Sequence, residues 1–306
     1  MKFIKLYMLA IMVFLSPGMA VADSWPSRDI TIIVPFGPGG GMDILARQYQ
    51  AELEARLPVK VIVKNMPGAA TLVAVNHVLS NNNDDHTFVI TTDDFLTSTW
   101  VEGQNRYNRF APVFVIGSVP YVVFGGSSAS ITNLKQQIST NQKVNIGNLG
   151  VNGSADIWMS GLVSNLKINA VPYKTRQQLL ADILGNHLEY ATMSLWLVNQ
   201  NLSNGVVPLM VSSDTRHPMF PTVPTFRELG IKGESTASWW SVIARQDTSP
   251  VAIQSMNRYL REITATNTTI QTMNKEGFEV LNLSLADSRS YMQNEIKKLE
   301  KKVPRK

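Results

Sequence analysis

The run Ile30-Thr31-Ile32-Ile33-Val34 leads into a turn that holds Gly37, Gly39, Gly40 and Gly41. Ile44, Leu45, Tyr49, Leu53 and Leu57 follow at helical spacing. Strand, glycine-rich turn and helix in that order commit the chain to an α/β layer, with helices packed on a sheet. A turn of this kind brings backbone N–H groups to the positive end of a helix dipole, which suits an anion. Three successive glycines leave no side chain in a ligand's way.

The alternation continues. Residues 59–63 read as a second strand, followed by a turn at 65–70 and a helix marked by Leu72, Val75, Val78 and Leu79. Residues 87–91 read as a third strand, ending in Thr92-Asp93-Asp94. This order predicts a parallel sheet, with ligands at the carboxyl ends of its strands. Two extended runs, 113–117 and 120–124, then lead toward a second unit. There a strand at 144–147 meets a second glycine-bearing turn, Asn148 to Ser154, and a helix from 156 to about 166. The second half therefore echoes the topology of the first without repeating its sequence. Further strands are expected at 169–173, 188–193 and 206–211, and helices at 134–138 and 177–184. The apolar run 238–244 returns to the first unit, and the chain from 250 onward reads as helical.

The 306 residues suffice for two domains, and 44% hydrophobic against 17% charged content is that of a globular protein. Residues 1–22 read as a signal peptide: Lys2 and Lys5, an apolar stretch at 6–15, and the small-residue site Ala20-Val21-Ala22. The alternative is an uncleaved anchor. Without Lys2 and Lys5 the net charge falls from +5 to +3, too little to point to nucleic acid. The basic residues of 297–306 read as a solvated helix end. There is no cysteine, hence no disulfide, thiol nucleophile, Cys-ligated metal or lipidation site behind the signal. A freely soluble periplasmic protein is expected.

Catalytic signatures are missing. His77, His86, His187 and His217 are scattered, without an HExxH pair. No GxSxG elbow, P-loop or GxGxxG fingerprint occurs. No metal and no cofactor are expected. Two glycine-rich strand-to-helix turns in two halves instead suggest a cleft between lobes.

These residues resemble a known family. Trp25-Pro26-Ser27-Arg28-Asp29-Ile30, Ile33-Val34-Pro35-Phe36 and Pro38-Gly39-Gly40-Gly41-Met42-Asp43 look like the opening of the Bug family, the TctC-like extracytoplasmic solute receptors of tripartite tricarboxylate transporters. Asn65-Met66-Pro67-Gly68-Ala69, Val171-Pro172-Tyr173-Lys174, Asp182-Ile183-Leu184-Gly185 and Val223-Pro224-Thr225 with Glu228 and Gly230 are similar to later family motifs. The resemblance implies a type II periplasmic-binding-protein fold: two lobes, each with a mainly parallel sheet, and a ligand cleft between them. Residues 23–117 with 238–306 would form lobe 1, and 118–237 lobe 2. It also implies a carboxylate-bearing ligand held by two loops, largely through backbone N–H groups and water. Carried over, the first loop is Phe36, Gly37, Gly39, Gly40, Gly41 and Asp43. The second is Asn148, Gly150, Asn152, Gly153 and Ser154. The strand ends Thr92 and Asp93 and the exits Tyr173, Lys174 and Ser194 would line the same cleft.

The sequence departs from the family at several points. Gly37 stands where proline is usual, Met42 where threonine is, and Ser241 where glycine is. The second loop is one residue longer, and the usual Ser-His is replaced around Asp156-Ile157. Thr175-Arg176 follows Lys174 where the family has glycine. Ligand identity is expected to depend on such side chains. Asp43 either caps its helix or meets an amino group on the ligand. Arg176 either forks onto a distal ligand anion or stands on the surface. Tyr173 either bonds the ligand or closes its lobe; Trp158 and Trp196 either wall the pocket or pack in the core. Asp156 reads as a helix-start residue. The function expected is a monomeric receptor that closes on a small organic acid and delivers it to membrane permease subunits. The alternatives are a sensor subunit feeding a signalling partner, or a periplasmic enzyme acting on carboxylates.

Overall fold

The computed structural model describes residues 25–80, 84–101, 106–149, 154–163, 167–233 and 235–302. The expected signal peptide at 1–22 lies outside them. β1 (Ile30–Val34) is almost wholly buried, as its four aliphatic residues require, with only Thr31 partly exposed. It pairs in parallel with β2 (Val61–Asn65) and β3 (Thr87–Thr92), Ile32 lying opposite Val63 and Phe88. α1 (Gly41–Glu54) and α2 (Leu72–Ser80) make the crossovers. α1 buries Met42, Leu45, Ala46, Tyr49 and Leu53, the face its spacing predicts.

Two departures from the sequence reading follow β3. The first is an unforeseen helix, α3 (Asp94–Val101), hidden in the run Asp-Phe-Leu-Thr-Ser-Thr-Trp-Val. Ser and Thr are poor helix signals because their hydroxyls compete for backbone groups. Here Thr99 Oγ1 turns that habit inward and donates to Phe95 O at 2.7 Å. The second is that the two expected extended runs form one strand of 16 residues, β4 (Phe110–Gly125). Gly117 does not end it: the glycine admits a close neighbour, since a Cβ there would lie 2.6 Å from Glu279 O. Register shifts between Pro112 and Phe114 and between Val115 and Gly117 bend the strand instead.

α4 (Ile131–Ser139), β5 (Val144–Leu149), α5 (Ser154–Val163), β6 (Ile168–Tyr173), α6 (Arg176–Leu184) and β7 (Tyr190–Ser194) build a second α/β part, with β5 parallel to β6 and β7. α7 (Leu195–Asn199) and β8 (Val207–Val211) follow. β9 (Ala237–Arg245) then runs antiparallel between β3 and the first part of β4. The last part of β4 pairs antiparallel with β7 and β8. The strand order is β2-β1-β3-β9-β4-β7-β5-β6. Strands are parallel inside each α/β part and antiparallel where β4 and β9 join them, so the whole sheet is mixed.

α8 (Pro250–Thr264), α9 (Asn267–Lys275), the two-residue β10 (Glu279–Val280) and α10 (Leu285–Lys302) complete the first part. Ser249 caps α8 by accepting from Ala252 N, and Pro250 opens its first turn. Asn257 of α8 donates to Val113 O of β4 at 2.8 Å. Tyr49 of α1 meets Thr264 of α8 at 2.7 Å. Among the described residues no helix is long and apolar enough to cross a membrane.

Candidate functional site

The glycine loop between β1 and α1 is shaped by what it lacks. Gly40 stands at the N-cap of α1, and its extended backbone offers no side-chain cap. Ser130, Thr175, Ser249 and Thr266 cap α4, α6, α8 and α9 with hydroxyls. The first bond within α1 runs from Ile44 N to Gly40 O, so the N–H groups of Gly41, Met42 and Asp43 have no helical partner. Gly39 has φ +78°, a conformation that favours glycine. A Cβ on Gly41 would lie 2.5 Å from the Trp196 ring, which comes from α7 in the other part of the molecule.

Asp43 holds this loop from behind. Its carboxylate accepts from Gly39 N at 2.9 Å, Arg47 Nε at 3.1 Å and Asn65 Nδ2 at 2.9 Å. Burial opposes its charge, but Arg47, the Gly39 N–H and Asn65 together hold the carboxyl below its ordinary range. The side chain serves loop and helix start and does not line the cavity in front of them.

That cavity has a volume of about 470 Å³. Phe36, Gly37, Gly39, Gly40 and Gly41 form one wall, with Thr92 and Asp94 beside them. Leu149, Ala155, Arg176, Thr192, Ser194 and Trp196 come from the second α/β part. Tyr121 of β4 and Ser238 and Trp240 of β9, the joining strands, complete it. Trp196 and Trp240 meet edge to face, ring centroids 6.0 Å apart. A larger groove of about 930 Å³ lies between residues 213–219 and α10. Three ion pairs involve its lining: Arg216 with Glu228, Asp214 with Arg227, and Lys298 with Glu295.

Asp93 sits just behind the cavity, nearly fully buried and outside its lining. Tyr121 OH donates to Oδ2 at 2.9 Å and Ser238 Oγ to Oδ1 at 2.7 Å. Burial, and next the adjacent Asp94 carboxylate, push Asp93 up to about 7 against those hydrogen bonds. Asp93 therefore ties β3 to both joining strands. Asp94 lines the cavity, and its Oδ1 accepts from Ser154 N at 3.2 Å.

Of the residues singled out from sequence, Phe36, Gly37, Gly39, Gly40, Gly41, Thr92 and Ser194 line the cavity together. Asp43, Asp93, Asn148, Ser154, Tyr173 and Lys174 do not. Asn148 is buried and donates to Asp156 at 2.7 Å, bracing the start of α5. Tyr173 donates to Asp182 at 2.6 Å, and burial and that carboxylate push it up to about 12. Lys174 is exposed. Gly150, Asn152, Gly153 and the side chain of Trp158 lie outside what is described. Of the paired alternatives, Arg176 and Trp196 are in the lining, and Asp43 is a helix-start residue. Sequence reasoning missed Asp94, Tyr121, Thr192, Ser238 and Trp240. Asp94 was legible as a carboxylate at a strand end; Tyr121, Ser238 and Trp240 sit in apolar runs that signal only strand.

Known proteins resemble this chain throughout. The family described as "Tripartite tricarboxylate transporter family receptor" (TctC) matches residues 45–305. A UPF0065 protein of Bordetella pertussis is 26% identical over 296 residues, covering 94% of this chain and 92% of its own. Protein BugT of the same organism is 24% identical over 289 residues, covering 90% and 89%. Among solved structures, R. palustris Rpa4515 with adipate superposes with a TM-score of 0.79 at 26% identity, covering 90% of this chain and 96% of that one.

Proposed function

We propose, from the premise that this chain belongs to the receptor family of the tripartite tricarboxylate transporters, that its cavity captures a carboxylate-bearing organic acid. The observation that carries this reading is the uncapped start of α1. Its free N–H groups face a cavity walled by both α/β parts. Such groups compensate a carboxylate's desolvation without supplying a full opposite charge. The adipate held by Rpa4515 supports an acid of this class. The ligand groups would come from the first loop, Thr92 and Ser194, with the 148–154 loop as the opposing jaw. Residues 23–117 with 238–306 and residues 118–237 are the two lobes in this reading, and β4 and β9 are the hinge. Binding is the whole of the activity proposed; no reaction is. The partners are permease subunits in the membrane, reached from the periplasm after removal of residues 1–22. The receptor acts as a monomer.

Gly40→Val tests the loop. A Cβ at Gly40 meets only Gly37 O, at 3.6 Å, and the backbone there is extended, so the fold tolerates a side chain. Wild type should gain melting temperature with adipate or related acids by mass action. The variant should melt at the same temperature alone and lose that gain. An unchanged ligand response in Gly40→Val would overturn the loop's role.

A further inference from the structure

The cavity carries a second cue that the glycine loop does not explain. Arg176 is the first residue of α6 and lines the cavity, half-buried. Among the described residues it makes no hydrogen bond or ion pair. It is not there for the helix. Thr175 already caps α6 by accepting from Gln178 N at 3.2 Å, and a cation at a helix N-terminus opposes the macrodipole. A guanidinium that faces a cavity unpaired and works against its own helix is suited to an anion supplied from outside.

Thr192 makes an independent case. It also lines the cavity, is 0% exposed, and its Oγ1 has no hydrogen-bond partner. A buried hydroxyl without a partner is costly unless something bonds it. Both residues belong to the second α/β part, whereas the uncapped start of α1 belongs to the first.

We propose that Arg176 and Thr192 form a second anion subsite, which makes this chain selective for dicarboxylates over monocarboxylates of equal length. One carboxylate meets the N–H groups of Gly41 and Met42; the other reaches the guanidinium and the threonine hydroxyl. This rests on the carboxylate-receptor reading above.

The test is calorimetric titration of the full mature chain with matched pairs: butyrate and succinate, pentanoate and glutarate, hexanoate and adipate. Wild type should prefer the diacid at one or more lengths by tenfold or more, about one charge-assisted contact. Arg176→Gln should shrink that preference to within about threefold, and Arg176→Lys should restore part of it. Thr192→Val should weaken diacid binding by roughly three- to tenfold. Melting temperatures without ligand confirm that each variant folds. A diacid preference that survives Arg176→Gln overturns the subsite. Equal binding of both acids to wild type also overturns it, while the receptor reading stands. If no acid binds wild type, both fall.

Discussion

Asp93 illustrates how one residue can be read correctly by place and wrongly by task. It lies at the carboxyl end of β3, where an α/β sheet exposes its ligand residues, yet its oxygens are taken by Tyr121 and Ser238. Its folded pKa is raised from 3.8 to about 7. Between those values the folded protein holds a proton that the unfolded chain has released. The stability from that proton is full below about pH 4 and is lost as pH rises through 7. Wild type is therefore expected to melt several degrees lower at pH 8 than at pH 5 on this group's account. Asp93→Asn keeps the site neutral, and the gap between the two pH values should narrow. Thermal denaturation at both pH values, variant against wild type, checks this; an unchanged gap would mean that Asp93 does not titrate in this range.

At the scale of elements, joints between helix and sheet decide what the chain can bear. α8 is fastened to β4 by Asn257 Nδ2 on Val113 O, inside the core. Asn257→Ala strands that buried carbonyl and should cost about 1–3 kcal/mol in denaturant unfolding, with an unchanged slope. The loss belongs to stability alone, so acid binding by folded protein should be unaffected. The same scale shows what was legible beforehand. β1, α1, β3, β5 and α6 follow from period and punctuation, because each buries a face whose spacing matches its geometry. α3 was not legible, because its Ser and Thr side chains fold their hydroxyls back onto the helix. β4 looked like two strands, because Gly117 and Pro120 are breaker residues whose tolerance depends on distant β10 and β9. The cavity divided similarly. Its glycine wall announced itself, whereas Tyr121 and Trp240 gained their role only when β4 and β9 met.

Across the whole molecule, the two α/β parts come close at the site where Gly41 faces the Trp196 ring. A methyl group on Gly41 would collide with that ring and hold the walls apart. Gly41→Ala is expected to bind acids at least tenfold more weakly, about 1.4 kcal/mol. Small-angle scattering with saturating acid should report a larger radius of gyration than for liganded wild type. An identical radius and affinity would show that the ring yields at no cost. The strand order has a consequence for how the molecule comes into being. β3 finds its antiparallel neighbour only in β9, about 150 residues later in the chain, and α8 must still arrive to cover β4. A chain delivered N-terminus first therefore cannot finish its first sheet until its last third has emerged. Until then the edge of β3 is open, and guarding that edge falls to whatever escorts the nascent chain.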